Sequence, residues 1–204
     1  MHHIYHTQGF VLASAPSGEA NCLLAVFTRD LGMVRATASG TRLLKSKLRY
    51  SLQDFSYCDL ALVRGEGGWR VTGASLRSNI FESLRSEPEL LRVFGRALAL
   101  VVRLCVGEEK NGALFAYLEE AANFAAERAR QAAAGRALPR DFVRNFEYIV
   151  VLRVLASLGY LGDSPESAAF VASPYFNDDL LADMAAHSVR ILSEINRSIK
   201  ESQL

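Results

Sequence analysis

Two hydrophobic periods divide the chain. Between Thr7 and Leu76, short runs rich in Val, Thr and aromatic residues alternate apolar with polar positions, the period of half-buried strands. Five strands are predicted: TQGFVLAS (7–14), NCLLAVFT (21–28), VRATASGT (34–41), DFSYCDLALVR (54–64) and WRVTGASL (69–76). PSGEA before Asn21, RDLG at 29–32 and GEGG at 65–68 supply turn chemistry between them. The stretch RLLKSKLRYSL (42–52) is longer and basic, with room for one helical turn or an ordered loop. Alternation places Val34, Ala36 and Ala38 on one face against Arg35, Thr37 and Ser39, and Trp69 and Val71 against Arg70 and Thr72. Five short strands must hide their edges. A five-stranded Greek-key barrel, the OB-fold, does so, and an SH3-like barrel would read similarly.

Beyond Ser78 the period becomes helical. SEPE (86–89) has the form of a capping box, with Ser86 as N-cap and Pro88 in the first turn. Leu90, Leu91, Phe94, Leu98, Val101 and Leu104 then form an apolar stripe. A second helix is expected over 112–134, and a third from Pro139 to Gly159 carrying Phe142, Phe146, Ile149, Leu152 and Leu155. The last, over 178–202, has Leu181, Met184, Val189, Leu192, Ile195 and Ile199 as its apolar positions. SPESAAFVASP (164–174) reads as a loop. The expected fold class is α+β, with an OB-fold domain over 1–80 and a helical domain over 81–204.

Composition narrows the classes. Charged residues are 22% of the 204, close to the usual quarter, which fits neither an acidic disordered chain nor a supercharged nucleic-acid wrapper. The net charge of +1 conceals a split: residues 1–80 hold 9 Lys/Arg against 5 Asp/Glu, and residues 81–204 hold 14 against 17. Cys22, Cys58 and Cys105 form no CxxC pair and read as small apolar residues in a reducing compartment. The N-terminus lacks the basic and long apolar regions of a secretory signal, and no apolar run approaches the roughly 18 residues of a membrane span. A cytoplasmic, nucleoid-associated location and no membrane partner are expected.

Catalytic motifs are missing: there is no GxxxxGK[ST], GxSxG or HExxH. His2, His3 and His6 read as a flexible tail, and His187 stands alone on the last helix. An enzyme is disfavoured and no cofactor is expected. The remaining signal is positive charge next to aromatic residues. Arg29, Arg35, Arg42, Lys45, Lys47 and Arg49 face Asp30 alone, and Tyr50, Phe55 and Tyr57 follow. A basic strip along strand three and its following loop can track phosphates while aromatic rings stack bases. A merely solvated face is the competing reading.

TQGFVLASAPSGEANCLLAVFTRDLGMVRATASGTRLLKSKLRYSLQDF (7–55), LALVRG (60–65) and the helical pattern FVRNFEYIVVLRVLASLGY (142–160) resemble the RecO family of bacterial recombination mediators. The resemblance implies binding of single- and double-stranded DNA, strand annealing, and cooperation with RecR and single-strand-binding protein in loading RecA. Arg35, Arg42, Lys45, Lys47 and Arg49, with Tyr50 and Arg70, are the candidate DNA-binding residues. Some members carry a four-cysteine zinc module in the helical domain. Here SPESAAFVASP follows LGYLGD without a cysteine, so zinc is not carried over. Family function also implies contact with the acidic, apolar C-terminal tail of single-strand-binding protein. Arg140, Arg144 and Arg153, beside Phe142, Phe146 and Leu152, are the candidates for it, with ordinary exposed arginines as the alternative. A non-enzymatic protein-interaction adaptor is the rival reading of the whole chain, separable by the salt dependence of DNA binding.

Overall fold

A computed structural model describes residues 3–43, 45–162 and 164–201. Its strands are β1 (Ile4–Ser17), β2 (Asn21–Thr28), β3 (Gly32–Ala38), β4 (Ser56–Gly65) and β5 (Gly68–Asn79). They close into a barrel in the order β1-β2-β3-β5-β4. The pairings are antiparallel except that of β3 with β5, which is parallel. Register shifts at Val11/Ala13, Tyr57/Cys58 and Ala61/Leu62 bend the long strands as closure requires. The predicted alternation holds: Val34, Ala36, Ala38, Trp69 and Val71 fill the interior, and Arg35 and Arg70 stand outside.

Element ends differ from expectation for local reasons. β3 stops at Ala38 because Gly40 turns the chain at φ 68° and the Arg42 amide donates to Ala20 O (3.0 Å). β4 begins at Ser56 because Phe55 lies in the left-handed region (φ 67°), held by its amide on Val11 O and its carbonyl under the Ile80 amide, 2.9 Å each. β1 is longer than expected and includes His6, so that histidine is part of a strand and not of a flexible tail; His2 lies outside the described residues. The basic connection contains one helical turn, α1 (Leu48–Ser51). Leu52, 5% exposed, plugs the barrel at its end. The Cys58 thiol, in the core, donates to Ser51 O at 2.7 Å.

The helices are α2 (Ile80–Leu84), α3 (Pro88–Leu104), α4 (Gly112–Ala133), α5 (Phe142–Ser157), α6 (Pro165–Val171) and α7 (Asp178–Glu201). α3 starts with Pro88 at its first position and its first bond runs from the Leu91 amide to Glu87 O (3.1 Å), so Glu87, not Ser86, is the N-cap. Segment 164–174 is not wholly a loop, since Pro165 starts α6 there. α5 ends as predicted at Gly159 (φ 75°), with the Tyr160 amide on Leu155 O (2.9 Å). On α7 the stripe holds at Leu181, Met184 and Ile195, whereas Val189 is 82% exposed and Leu192 lies outside the core.

The chain divides into two compact units. One takes residues up to Ser83 together with Cys105–Gly112; the other takes Leu84–Leu104 and everything from Ala113. In the first, 105–112 lies against the barrel: Glu108 pairs with Arg64 (2.8 Å) and Lys110 with Asp30 (3.3 Å). Thr7 donates to Asp30 (2.8 Å), and this bond, with Lys110, holds the Asp30 carboxyl below its ordinary range. Gly32 (φ 68°) lies so close to Glu109 that a Cβ there would overlap its backbone. In the second unit, α5 is buried on several faces, and rings of Phe94, Phe124, Phe142, Phe146 and Phe176 pack together.

Candidate nucleic-acid interface

Two strands and one loop carry the basic strip. Across the parallel pair, Thr37 stands beside Arg70, which puts Arg35, two residues before Thr37, on the same outer face as Arg70. Both arginines are exposed. Arg42, Lys45, Lys47 and Arg49 follow in the β3–β4 connection and are also exposed. Turns shape this connection, through the Leu43 amide on Gly40 O and the Ser46 amide on Leu43 O, and buried Leu52 anchors it. Arg42 is tied back to the β1–β2 turn, where its Nη1 donates to Gly18 O at 2.8 Å. Tyr50 is 68% exposed and offers a free ring face, but Tyr57 is buried and stacked on Phe10 at 4.6 Å, unavailable to a base.

Charge pairing divides the surface cations, and among the described residues Arg103, Arg136, Arg140, Arg197 and Lys200 share the strip's lack of a carboxylate partner. Arg64, Arg77, Arg92, Arg96, Arg128, Arg130, Arg144 and Arg190 each meet a carboxylate. Among the described residues, none of Arg35, Arg42, Lys45, Lys47, Arg49 or Arg70 does. Their field is therefore directed at solvent, as a phosphate-binding surface requires. Arg42 and Arg49 also line a cleft of about 420 Å³ together with Ser14, Cys22, Thr41 and Gln53, over the buried Leu24 and Leu52. No sequence signal marked that cleft, because its lining comes from β1, β2 and both ends of the connection.

The helical arginines separate from one another. Arg140 lines a cavity of about 330 Å³ with Arg128, Arg136, Phe142 and Leu181. Arg144 is exposed and paired with Asp141 at 3.3 Å. Arg153 does not stand on an exposed edge: it is 1% exposed, because α5 is a central helix and not an amphipathic one. Its guanidinium donates to Phe170 O (2.8 Å), Pro174 O (2.7 Å) and Tyr175 O (3.0 Å) and lies 4.2 Å from the Phe176 ring. Burial pulls its pKa down to about 10, which leaves it charged at neutral pH. Arg128 and Arg136 carry no signal in the sequence, where α4 shows only its apolar face. Arg128 lies over Phe124 at 4.9 Å and pairs with Asp178.

Among the described residues no group of three His, Cys, Asp or Glu is placed to hold a metal, and no helix is long and apolar enough to cross a membrane. Comparison with known proteins finds similar sequences. Residues 1–79 match the model of the recombination protein O N-terminal domain. The chain is 34% identical over 109 residues to the DNA repair protein RecO of Alkaliphilus metalliredigens, covering 53% of this chain and 44% of that protein. It is 36% identical over 95 residues to that of Gloeobacter violaceus, covering 47% and 34%. With that of Thermodesulfovibrio yellowstonii it shares 25% over 161 residues, covering 78% and 59%. The chain thus aligns with between about a third and three fifths of the length of these relatives. The matched residues run from the first strand of a barrel of OB topology to its last, so this part of the chain is similar in sequence to the N-terminal domain of the RecO proteins.

Proposed function

We propose that the protein is a non-catalytic DNA-binding protein of recombinational repair, which anneals complementary strands and helps to load RecA on single-stranded DNA in concert with RecR. The observation that supports this reading best is the row of exposed cations without carboxylate partners on the outer face of an OB barrel. Arg35, Arg42, Lys45, Lys47, Arg49 and Arg70 neutralise phosphates without reading bases, release counterions, and hold two strands close enough to pair. Tyr50 supplies a stacking ring. No nucleotide is consumed, so annealing runs without ATP. Titration of labelled single-stranded DNA at several salt concentrations, with and without its complement, tests this. Salt-sensitive binding and accelerated pairing are expected. A salt-independent affinity, or a DNA-stimulated ATPase, would contradict it.

A second reading concerns the helical unit and rests on the cavity beside Arg140. Arginines next to Phe142 and Leu181 fit an acidic, apolar peptide end, the chemistry of the single-strand-binding protein tail. Peptide binding by fluorescence anisotropy is the test.

A further inference from the structure

The arginines that line the cavity of the helical unit are not equivalent. Arg136 and Arg140 are exposed and, among the described residues, meet no carboxylate. The Arg128 side chain is only 13% exposed: its guanidinium stands 4.9 Å from the Phe124 ring and 5.8 Å from that of Phe142, and Nη1 donates to Gln131 Oε1 at 3.3 Å. It is held in place, and an ion pair made by it is screened less than one in open water. Asp178, itself 61% exposed, makes that pair. A mostly buried cation is costly without a counter-ion, whereas a carboxylate that is already largely in water leaves at little cost. Asp178 is not needed to start α7, because Asn177 does so: its Oδ1 accepts from the Leu180 amide (2.7 Å) and its carbonyl from the Leu181 amide (3.3 Å).

We propose that Asp178 is a built-in competitor for this cavity: its carboxylate holds on Arg128 the place that the terminal carboxylate of a bound peptide takes. The proposal rests on the cavity being a seat for an acidic, apolar peptide end, and adds to it the contact that is exchanged and the residue that limits affinity. One carboxylate replaces another on the same guanidinium, so Arg128 is not left bare, and a ligand must bring its own anion to release Asp178 into water. Arg136 and Arg140, exposed and unpaired, attract the acidic residues that precede the end. Leu138, Ala182 and Ala185, none of them buried, offer accessible apolar surface beside them. A peptide whose end is blocked meets the same walls and leaves the pair of Arg128 with Asp178 intact.

The test is fluorescence anisotropy on the full chain with the labelled acidic tail peptide, once with its free terminal carboxylate and once amidated. Asp178→Asn is expected to tighten the free acid about fivefold, the scale of one partly exposed ion pair, and the amide by less than about twofold. Asp178→Ser carries the same expectation, so the result does not depend on one variant folding. Asp178→Glu, which keeps the carboxylate, should bind the free acid within about twofold of the parent protein. Asp179→Asn removes the same charge one residue on, outside the cavity lining, and should change the affinity of either peptide by less than about twofold. A free acid that binds the parent but gains nothing from Asp178→Asn or Asp178→Ser overturns the competitor and spares the peptide seat. A gain shared equally by the amide, or by Asp179→Asn, does the same, because the charge then acts at a distance and not by holding Arg128. Binding of neither peptide to the parent or to the Asp178 variants overturns both.

Discussion

Thr37 and Arg70 stand opposite each other across the parallel pairing of β3 with β5. Through that pairing, Arg35 and Arg70, distant in sequence, share one outer face. If each neutralises one phosphate, Arg35→Ala with Arg70→Ala should flatten the salt dependence of single-strand affinity by about 1.4 logarithmic units, at roughly 0.7 per phosphate. Lys45→Ala, Lys47→Ala and Arg49→Ala together should flatten it by about 2. Thermal stability should move by less than about 0.5 kcal/mol in either variant, since all these side chains are exposed. An unchanged slope would identify the strip as a solvated face.

Arg153 is a structural residue. Arg153→Ala leaves three carbonyls, of Phe170, Pro174 and Tyr175, without their donor. The expected loss is about 3 kcal/mol or more. Trp69, the single tryptophan, belongs to the barrel, so its fluorescence should follow an unshifted transition while far-UV circular dichroism shows the helices melting early. Coincident early transitions by both probes would refute a local effect.

Gly32→Ala should destabilise the barrel by more than the roughly 1–2 kcal/mol of left-handed backbone alone, because the added carbon overlaps Glu109. Urea unfolding followed by Trp69 measures the loss. Faster alkylation of Cys105 in the same variant would report release of segment 105–112. A variant as stable as the parent would mean that the segment does not dock.

Burial pushes the Cys58 thiol up to about 12, with Asp59 adding to the shift, and burial pushes Cys105 up to about 11. The thiols of the unfolded chain ionise near 9, so their contribution is complete below that pH and is lost as pH rises through the folded values. Stability should therefore decline from about pH 9 upward, and Cys58→Ala should shallow that decline, measured as the urea midpoint at several alkaline pH values. Identical slopes would show that the thiol is not held neutral.

For the tail peptide, Arg140→Ala should weaken binding by about 2 kcal/mol, the size of a charge-assisted bond, whereas Arg144→Ala, already paired with Asp141, should change it by less than about 0.5. Equal affinity in both variants would remove the cavity from the interface.

Facing was legible because alternation fixes which side each residue takes, as Val34, Arg35, Ala36 and Arg70 illustrate, whereas the order of the strands is set by pairings that alternation does not encode. Burial of Arg153 was not legible, because a charged residue flanked by apolar ones reads the same on a half-exposed helix as on a central one. Only the neighbours of α5, above all the carbonyls after α6, distinguish the two. The cleft at Cys22 was likewise hidden, since its lining residues lie far apart along the chain. Absence of carboxylate partners for Lys45 and Arg49 is a three-dimensional fact of the same kind. Phe55 was misread as strand because nothing in its side chain announces a left-handed backbone.

Docking of 105–112 beside Gly32 has a consequence for synthesis. The β4–β1 pairing and the parallel pairing of β5 both wait for residues far downstream of their partners, and the last piece of that unit leaves the ribosome only after α3, which belongs to the other unit. Vectorial folding therefore cannot finish one unit before starting the next. A nascent chain released at the end of β5 carries the turn at Asp30–Gly32 without the segment that covers it, so a shortened gene for the barrel needs to run on through Gly112 to encode all of its contacts.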